Sequence, residues 1–394
     1  MLNTVKGGPE LKKLLSAVMI LILLFLNTDV FAEDINILFM EKALSNLENK
    51  NNTLLNMAES EKTAKKQYES AVNSSEGIDT EGISVEFFGK EMYIHFNTNT
   101  KMLLTMQKEL YPAQMKLSWE MTRDSRKVTL NSMKIGLRGL YLGVYTADND
   151  CKLKQKKNEL AQTIYNQSKI KYERGMITSI ELSQSEYDSL KAKAAYDAAK
   201  RNYENILRSL NSFIGVKLDT AYDQIIYEEI FDETELKDLD HYIERALSSR
   251  LEIVSSLKQI SLMEQRKEIY EKYPYTIKLP ENKKDYEAML LELEKQKLML
   301  EKEKIEIEKE IKEAYIEVSV SESNITGLKK VLDLQKNNLE NVKSRYEKGL
   351  IPKTLLDQIQ IGYDETDNGY KAALFDHNTK LMKLEYAAGI GPAY

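Results

Sequence analysis

Catalysis and metal binding need particular side chains gathered in one place, and this chain offers few of them. Its three histidines, His95, His241 and His377, are scattered with no metal-ligand spacing. Each reads as an ordinary polar residue. Cys151 is the single cysteine, so no internal disulfide can hold the chain and packing must supply its stability. The run Gly136-Leu137-Arg138-Gly139, with Gly143 behind it, has the look of a phosphate loop. It sits in a helical stretch with no strand before it, so close helix contact is the better account. No enzyme, no metal and no cofactor are expected.

What the sequence does specify is helix. Among 394 residues there are only six prolines, none from Ala113 to Tyr273, and no glycine from Val144 to Arg174. With the breakers missing and Leu, Lys, Glu and Ala abundant, the fold class is mainly α with very long helices. A net charge of −6 argues against nucleic acid as a partner. Acidic and basic residues interleave along Lys297–Tyr315, as on a solvated helix face. At the start, Lys6, Lys12 and Lys13 precede an apolar run, residues 14–26, and then Val30-Phe31-Ala32. This is the pattern of a signal peptide, residues 1–32, with cleavage expected after Ala32 and export of the rest. The apolar run is shorter than the roughly 20 residues that span a bilayer.

One phrase is written twice. Residues 172–178 read YERGMIT and residues 346–352 read YEKGLIP, 174 positions apart. At that offset Tyr141 pairs with Tyr315, Leu160 with Leu334, Leu182 with Leu356, Tyr196 with Tyr370 and Gly215 with Gly389. This is an internal duplication. The beginnings of the halves also echo, MEKALSNLENKNNTLL (40–55) against IERALSSRLEIVSSL (243–257), at an offset of 203. The larger offset places extra residues in the first half, where ISVEFF and EMYIHF flank Gly89-Lys90 and predict a β-hairpin over about 83–96. The second half has only one short extended segment to match, 273–280. The organisation expected is therefore a first repeat 33–216, a linker 217–237 and a second repeat 238–394.

Helices are expected from about Ala113 to Tyr172 and from about Ser179 to Ile214, too long to fold into one globule and so laid side by side. A seam of Leu182, Ser185, Ser189, Ala192, Tyr196, Ala199, Tyr203, Ile206, Leu210 and Phe213 recurs every three or four residues, and Leu293, Leu300, Ile307, Ile311, Ala314 and Val318 form another. Each phrase is the tip of a helical hairpin. Gly175 and Gly349 would adopt the left-handed conformation that ends a helix. Arg174 and Lys348 suit the negative helix end, Thr178 can cap the next helix, and Pro352 suits the start of its equivalent.

A tyrosine, two residues, Gly-x-Ile, and a long helix ending in glycine, twice per chain, resembles the TolC family of outer-membrane efflux proteins. The resemblance covers nearly all of the mature chain. It implies a homotrimer whose twelve long helices, four per chain, form a tunnel, with the inserted strands combining into one β-barrel in the outer membrane. It implies a passive exit duct in the cell envelope for drugs, dyes or secreted polypeptides, working with a periplasmic adaptor protein and an inner-membrane pump. Adaptor docking would fall on Tyr172, Arg174, Gly175, Ile177 and Thr178, and on Tyr346, Lys348, Gly349, Ile351 and Pro352. The family often rings its entrance with acids six and nine positions after the tip glycine. Those positions hold Glu181 and Gln184 in the first half and Leu355 and Gln358 in the second, with Asp357 beside them. The six-residue strand runs are shorter than the nine to eleven residues of a membrane strand.

Two other classes fit parts of this pattern. An exported coiled-coil scaffold of the envelope suits the short strands but has no reason to duplicate a tip. A periplasmic adaptor has helical hairpins too, but no lipoyl-like or large β-barrel domain is visible here.

Overall fold

The computed structural model describes residues 36–227 and 236–391. The expected signal peptide, 1–32, and part of the expected linker, 217–237, lie outside the described residues. The chain divides into two compact units. In the first, β1 (Ile37–Leu38) pairs in parallel with β4 (Gln224–Ile225). Asn36 closes its end, its amide donating to Asp223 Oδ2 at 2.7 Å and its Nδ2 to the Ala221 carbonyl at 2.6 Å.

The second unit is helical. Its first half holds α1 (Met40–Lys50), α2 (Asn52–Glu76), the strands β2 (Gly82–Phe87) and β3 (Lys90–His95), then α3 (Thr98–Glu173) and α4 (Ser179–Phe213). Its second half holds α5 (Leu239–Ser249), α6 (Leu251–Lys272), α7 (Pro280–Glu347) and α8 (Lys353–Ala387). At 1.5 Å per residue, α3 is about 110 Å long and α7 about 100 Å.

Helix α3 begins well before the expected Ala113 and runs straight through Pro112. Proline removes a helical hydrogen bond, but burial of the turns just before it outweighs the loss. Met102 and Leu110 are buried with Ile269, Tyr270 and Met289, and that packing holds the helix up to the ring. Asn97 caps the start, its Oδ1 accepting from the Thr100 amide at 2.9 Å.

The hairpin forms as expected, with a difference of one residue in the turn. Phe88 and Gly89, at φ 51° and 72°, make the two-residue turn, not Gly89-Lys90. Two successive positive φ values are what the twist of a tight hairpin requires. In the second half, 273–280 is not extended: Thr276–Lys278 is a turn of 3₁₀ helix, and Pro280 already opens α7. A lone strand has no neighbour for its backbone hydrogen bonds, so the segment closes them locally. The Thr276 amide and hydroxyl both donate to the Tyr273 carbonyl, at 3.0 and 2.7 Å.

Each half begins with a pair of helices, and their register differs from that of the sequence echo. Asn51 separates α1 from α2 and Arg250 separates α5 from α6, an offset of 199, not 203. A slip of four residues is nearly one helical turn and keeps the same face buried, so the sequence could not distinguish the two. The structure can, because both junction residues do the same job. Asn51 Nδ2 donates to the Phe213 carbonyl at 3.1 Å, and Arg250 Nη1 to the Ala387 carbonyl at 3.2 Å. Those carbonyls end α4 and α8 and are themselves 174 residues apart.

Arg250 is buried and also pairs with Glu252 (Nη2–Oε1 2.8 Å) and Glu310 (Nη1–Oε1 2.9 Å), which ties α5, α6, α7 and the end of α8 together. Burial works against its charge, but the two carboxylates outweigh it and hold the guanidinium pKa above its ordinary value. Around this pair lies the core of the second half, with Tyr242, Ile253, Ile311, Val318 and Leu384. Removing a buried partner leaves its carboxylates uncompensated, so Arg250→Ala is expected to lower stability by about 3 kcal/mol in urea unfolding followed by circular dichroism. Asn51→Ala should cost about 1 kcal/mol in the same measurement, since only neutral hydrogen bonds are lost.

Candidate functional site: helix tips and open edges

Both tips close by the same backbone device. At the first, the Met176 amide donates to the Lys171 carbonyl and the Gly175 amide to the Tyr172 carbonyl, each at 2.8 Å, with Gly175 at φ 68°. At the second, Leu350 donates to Arg345 at 2.9 Å and Gly349 to Tyr346 at 2.8 Å, with Gly349 at φ 71°. This is the Schellman arrangement, which satisfies the last carbonyls of a helix and favours glycine at the left-handed position. Tyr172, Arg174 and Thr178 are exposed at one tip, and Tyr346, Lys348 and Pro352 at the other. Ile177 and Ile351 are half-buried. Met176 and Leu350, which follow the glycines, are about two-thirds exposed, at 67% and 66%.

The tips differ in how the returning helix begins. Thr178 and Glu181 form a reciprocal cap: the Glu181 amide donates to Thr178 Oγ1 at 3.2 Å, and the Thr178 amide donates back to Glu181 Oε2 at 2.7 Å. The Glu181 carboxyl is held below its ordinary pKa, chiefly by that backbone hydrogen bond. At the second tip Pro352 stands at the cap position, φ −72° and ψ 153°, with no side-chain hydrogen bond. Proline reaches this geometry without help because its ring fixes φ.

The residues expected at an entrance are spread over two helices. Glu181 is engaged in the cap. Gln184 on α4 donates to Asp188 at 3.1 Å. On α8, Leu355 and Gln358 are exposed, while Asp357 lines a polar cleft of about 330 Å³ between α3 and α8 with Lys156, Glu159, Thr163, Lys353 and Gln360. Beside this cleft two ion pairs join the hairpins, Lys156–Asp364 at 2.6 Å and Lys157–Glu365 at 3.4 Å. Among the described residues no group of three or more His, Cys, Asp or Glu could hold a metal ion.

The packing order of the long helices is α4 on α3, α3 on α8, and α8 on α7. Helices α4 and α7 therefore stand at the two edges. The inner seam of α4 faces α3, with Ser189, Ala199 and Leu210 buried and the rest half-buried. Helix α7 buries Leu293, Leu300, Ile307, Ile311 and Val318, with Ala314 half-buried beside them.

A second stripe on α7 escaped the sequence reading. Leu291, Leu298, Ile305, Ile316, Val320, Val331 and Leu334 are 45–70% exposed. At 100° per residue they fall in an arc of about 80°, half a turn round from the buried stripe. The seven-residue spacing of Leu291, Leu298 and Ile305 was the signal, masked by the Lys and Glu between them. On α4 the outward side carries exposed Ile180, Tyr187 and Leu190 near the tip.

No family model matches this chain, and no curated protein does. Solved structures do. A membrane protein from Pseudomonas aeruginosa superposes with a TM-score of 0.62 at 9% identity, covering 90% of this chain and 91% of that one. The CmeC outer membrane channel of Campylobacter jejuni gives 0.58 at 14% identity, over 90% and 87%. The open-state MtrE outer membrane channel of Neisseria gonorrhoeae gives 0.58 at 12%, over 90% and 91%. The chain has the fold of the TolC-type outer-membrane channels. Within that TolC-type fold, the paired tips and the order of the four long helices are the features that position everything described above.

Two outcomes are expected at the tips. Gly175→Val and Gly349→Val each force a β-branched residue into a left-handed backbone and should cost about 1–3 kcal/mol locally, read as faster amide exchange at Met176 or Leu350. The Glu181 carboxylate strengthens the cap only while ionised, so its contribution is present above the ordinary carboxylate pKa and lost as pH falls through the lowered folded value. Carboxyl-selective NMR titration should place Glu181 below its ordinary midpoint, and Thr178→Ala, which removes the hydroxyl but keeps the backbone amide, should return it only part of the way.

Proposed function

We propose that this protein is the exit duct of an efflux or secretion assembly, a passive trimeric channel of the cell envelope and not an enzyme. The observation that carries this reading is the second apolar stripe of α7. A helix with two opposed apolar faces has a second one to cover. In a single chain α7 is an edge, and the other edge, α4, is a different surface. Edges that differ associate head to tail, and a head-to-tail contact that closes makes a ring. Three copies of the four-helix layer give the twelve-helix tunnel that the resemblance implies. The tips then lie together at one end, where a periplasmic adaptor and an inner-membrane pump would meet Tyr172 to Thr178 and Tyr346 to Pro352. Glu181, Gln184, Leu355, Asp357 and Gln358 stand beside those tips as the candidate entrance. Solved channels of similar fold support the assignment to export across the outer membrane.

A second reading, an exported envelope scaffold that passes nothing, is favoured by one feature. Each hairpin strand has six residues, about 20 Å, against a hydrocarbon layer of about 30 Å. Sedimentation velocity and bilayer conductance separate the two. The duct reading expects a trimer, and Leu298→Lys with Ile305→Lys should yield a monomer of unchanged helicity. A wild-type protein that stays monomeric at micromolar concentration would sink it. A trimer that never conducts in planar bilayers, even with its adaptor and pump, would favour the scaffold.

A further inference from the structure

The hairpin of β2 and β3 has two chemically distinct faces. The register pairs Ile83 with Ile94, Val85 with Met92 and Phe87 with Lys90 on one side. On the other it pairs Ser84 with Tyr93 and Glu86 with Glu91. Alternate residues of a strand point to opposite sides, so five apolar side chains share one face and both carboxylates the other. Ile83, Phe87, Met92 and Ile94 are half or more exposed, or nearly so, at 50%, 60%, 50% and 48%. At the turn Phe88 is 93% exposed, packed edge-on to Phe87 with ring centroids 4.6 Å apart. Phe88 also holds a positive φ of 51°, a position where asparagine or glycine is ordinarily chosen.

The base of this ribbon is fixed while the arm is bare. Lys101 on α3 pairs with Glu81, Lys108 Nζ donates to the Ile78 carbonyl at 2.8 Å, and Tyr93 Oη donates to Asp79 Oδ2 at 3.2 Å. The arm cannot cross a bilayer. Each strand has six residues, short of the nine to eleven that a spanning strand needs.

We propose that the hairpin is an interfacial lipid anchor, lying with its apolar face in the headgroup region of one leaflet and Phe87 and Phe88 dipping below it. Charge selects this occupant over a second copy of the hairpin. The only charged residue on the apolar face is Lys90, at the tip, where it meets lipid phosphates and where its stem can snorkel. Stacking the same faces of two or three copies would instead bring their lysines together in an apolar contact. The anchor does not require the duct: either assembly could use it.

The test is flotation of the full mature chain with vesicles of phosphatidylcholine and phosphatidylglycerol, 3:1. Wild type is expected to float with the vesicles without releasing an entrapped dye. Phe87→Ser with Phe88→Ser should weaken partitioning by about tenfold or more, and Lys90→Glu should weaken it several-fold, most on vesicles rich in phosphatidylglycerol. Circular dichroism and sedimentation of each variant in lipid-free buffer should match wild type. Equal flotation of all variants would overturn the anchor, as would dye release or conductance that depends on the two phenylalanines. So would a change of oligomeric state on their replacement without lipid. A trimer that ignores vesicles would remove the anchor and leave the duct standing.

Discussion

A helix has one circumference, and α7 spends two sides of it on apolar residues. One side is covered by α8 and, toward its N-terminal half, by α5 and α6. The other meets water along most of the helix. Burying a leucine-sized side chain is worth about 1.5–3 kcal/mol, so seven of them in a line set a strong demand on whatever lies alongside. The rest of the layer is arranged so that nothing among the described residues meets that demand. Helix α4 returns against α3, α8 joins the two hairpins, and α7 is left outermost.

Everything at the far ends serves to keep such long elements straight and aligned. The junctions at Asn51 and Arg250 each seize the last carbonyl of a returning helix, so α4 and α8 terminate at defined heights. Gly215 assists at the first junction by letting the backbone approach closely: a side chain there would meet the Lys50 carbonyl at 2.6 Å. The ion pairs of Lys156 and Lys157 with Asp364 and Glu365 align the hairpins near the tips. These are surface contacts of small individual worth, and their value lies in register more than in stability.

Much of this was legible from residues alone. The seam of α4 was read residue for residue, because small and large side chains alternate with no charges among them. The tips were legible because glycine after a basic helix end has few other uses. What escaped did so for physical reasons. The outer stripe of α7 is interrupted by Lys and Glu, which solvate the flanks of the same face. Pro112 looks like a stop, and only packing from α6 and α7 overrides it. The segment 273–280 carries strand-like residues but has no strand to pair with, a fact of topology and not of composition. The four-residue ambiguity between the two beginnings is built into the helical repeat.

The two tips that the sequence writes as one phrase are stabilised by different thermodynamics. The first is held by bonds that exist only in the folded chain, a threonine hydroxyl and an ionised glutamate reaching across one turn. The second is held by a ring that restricts the chain before it folds, so its benefit comes from entropy the unfolded state never had. Acid removes a contribution from the first and takes nothing from the second. Two ends with the same shape thus answer differently to their surroundings, and the symmetry of the backbone does not extend to its response.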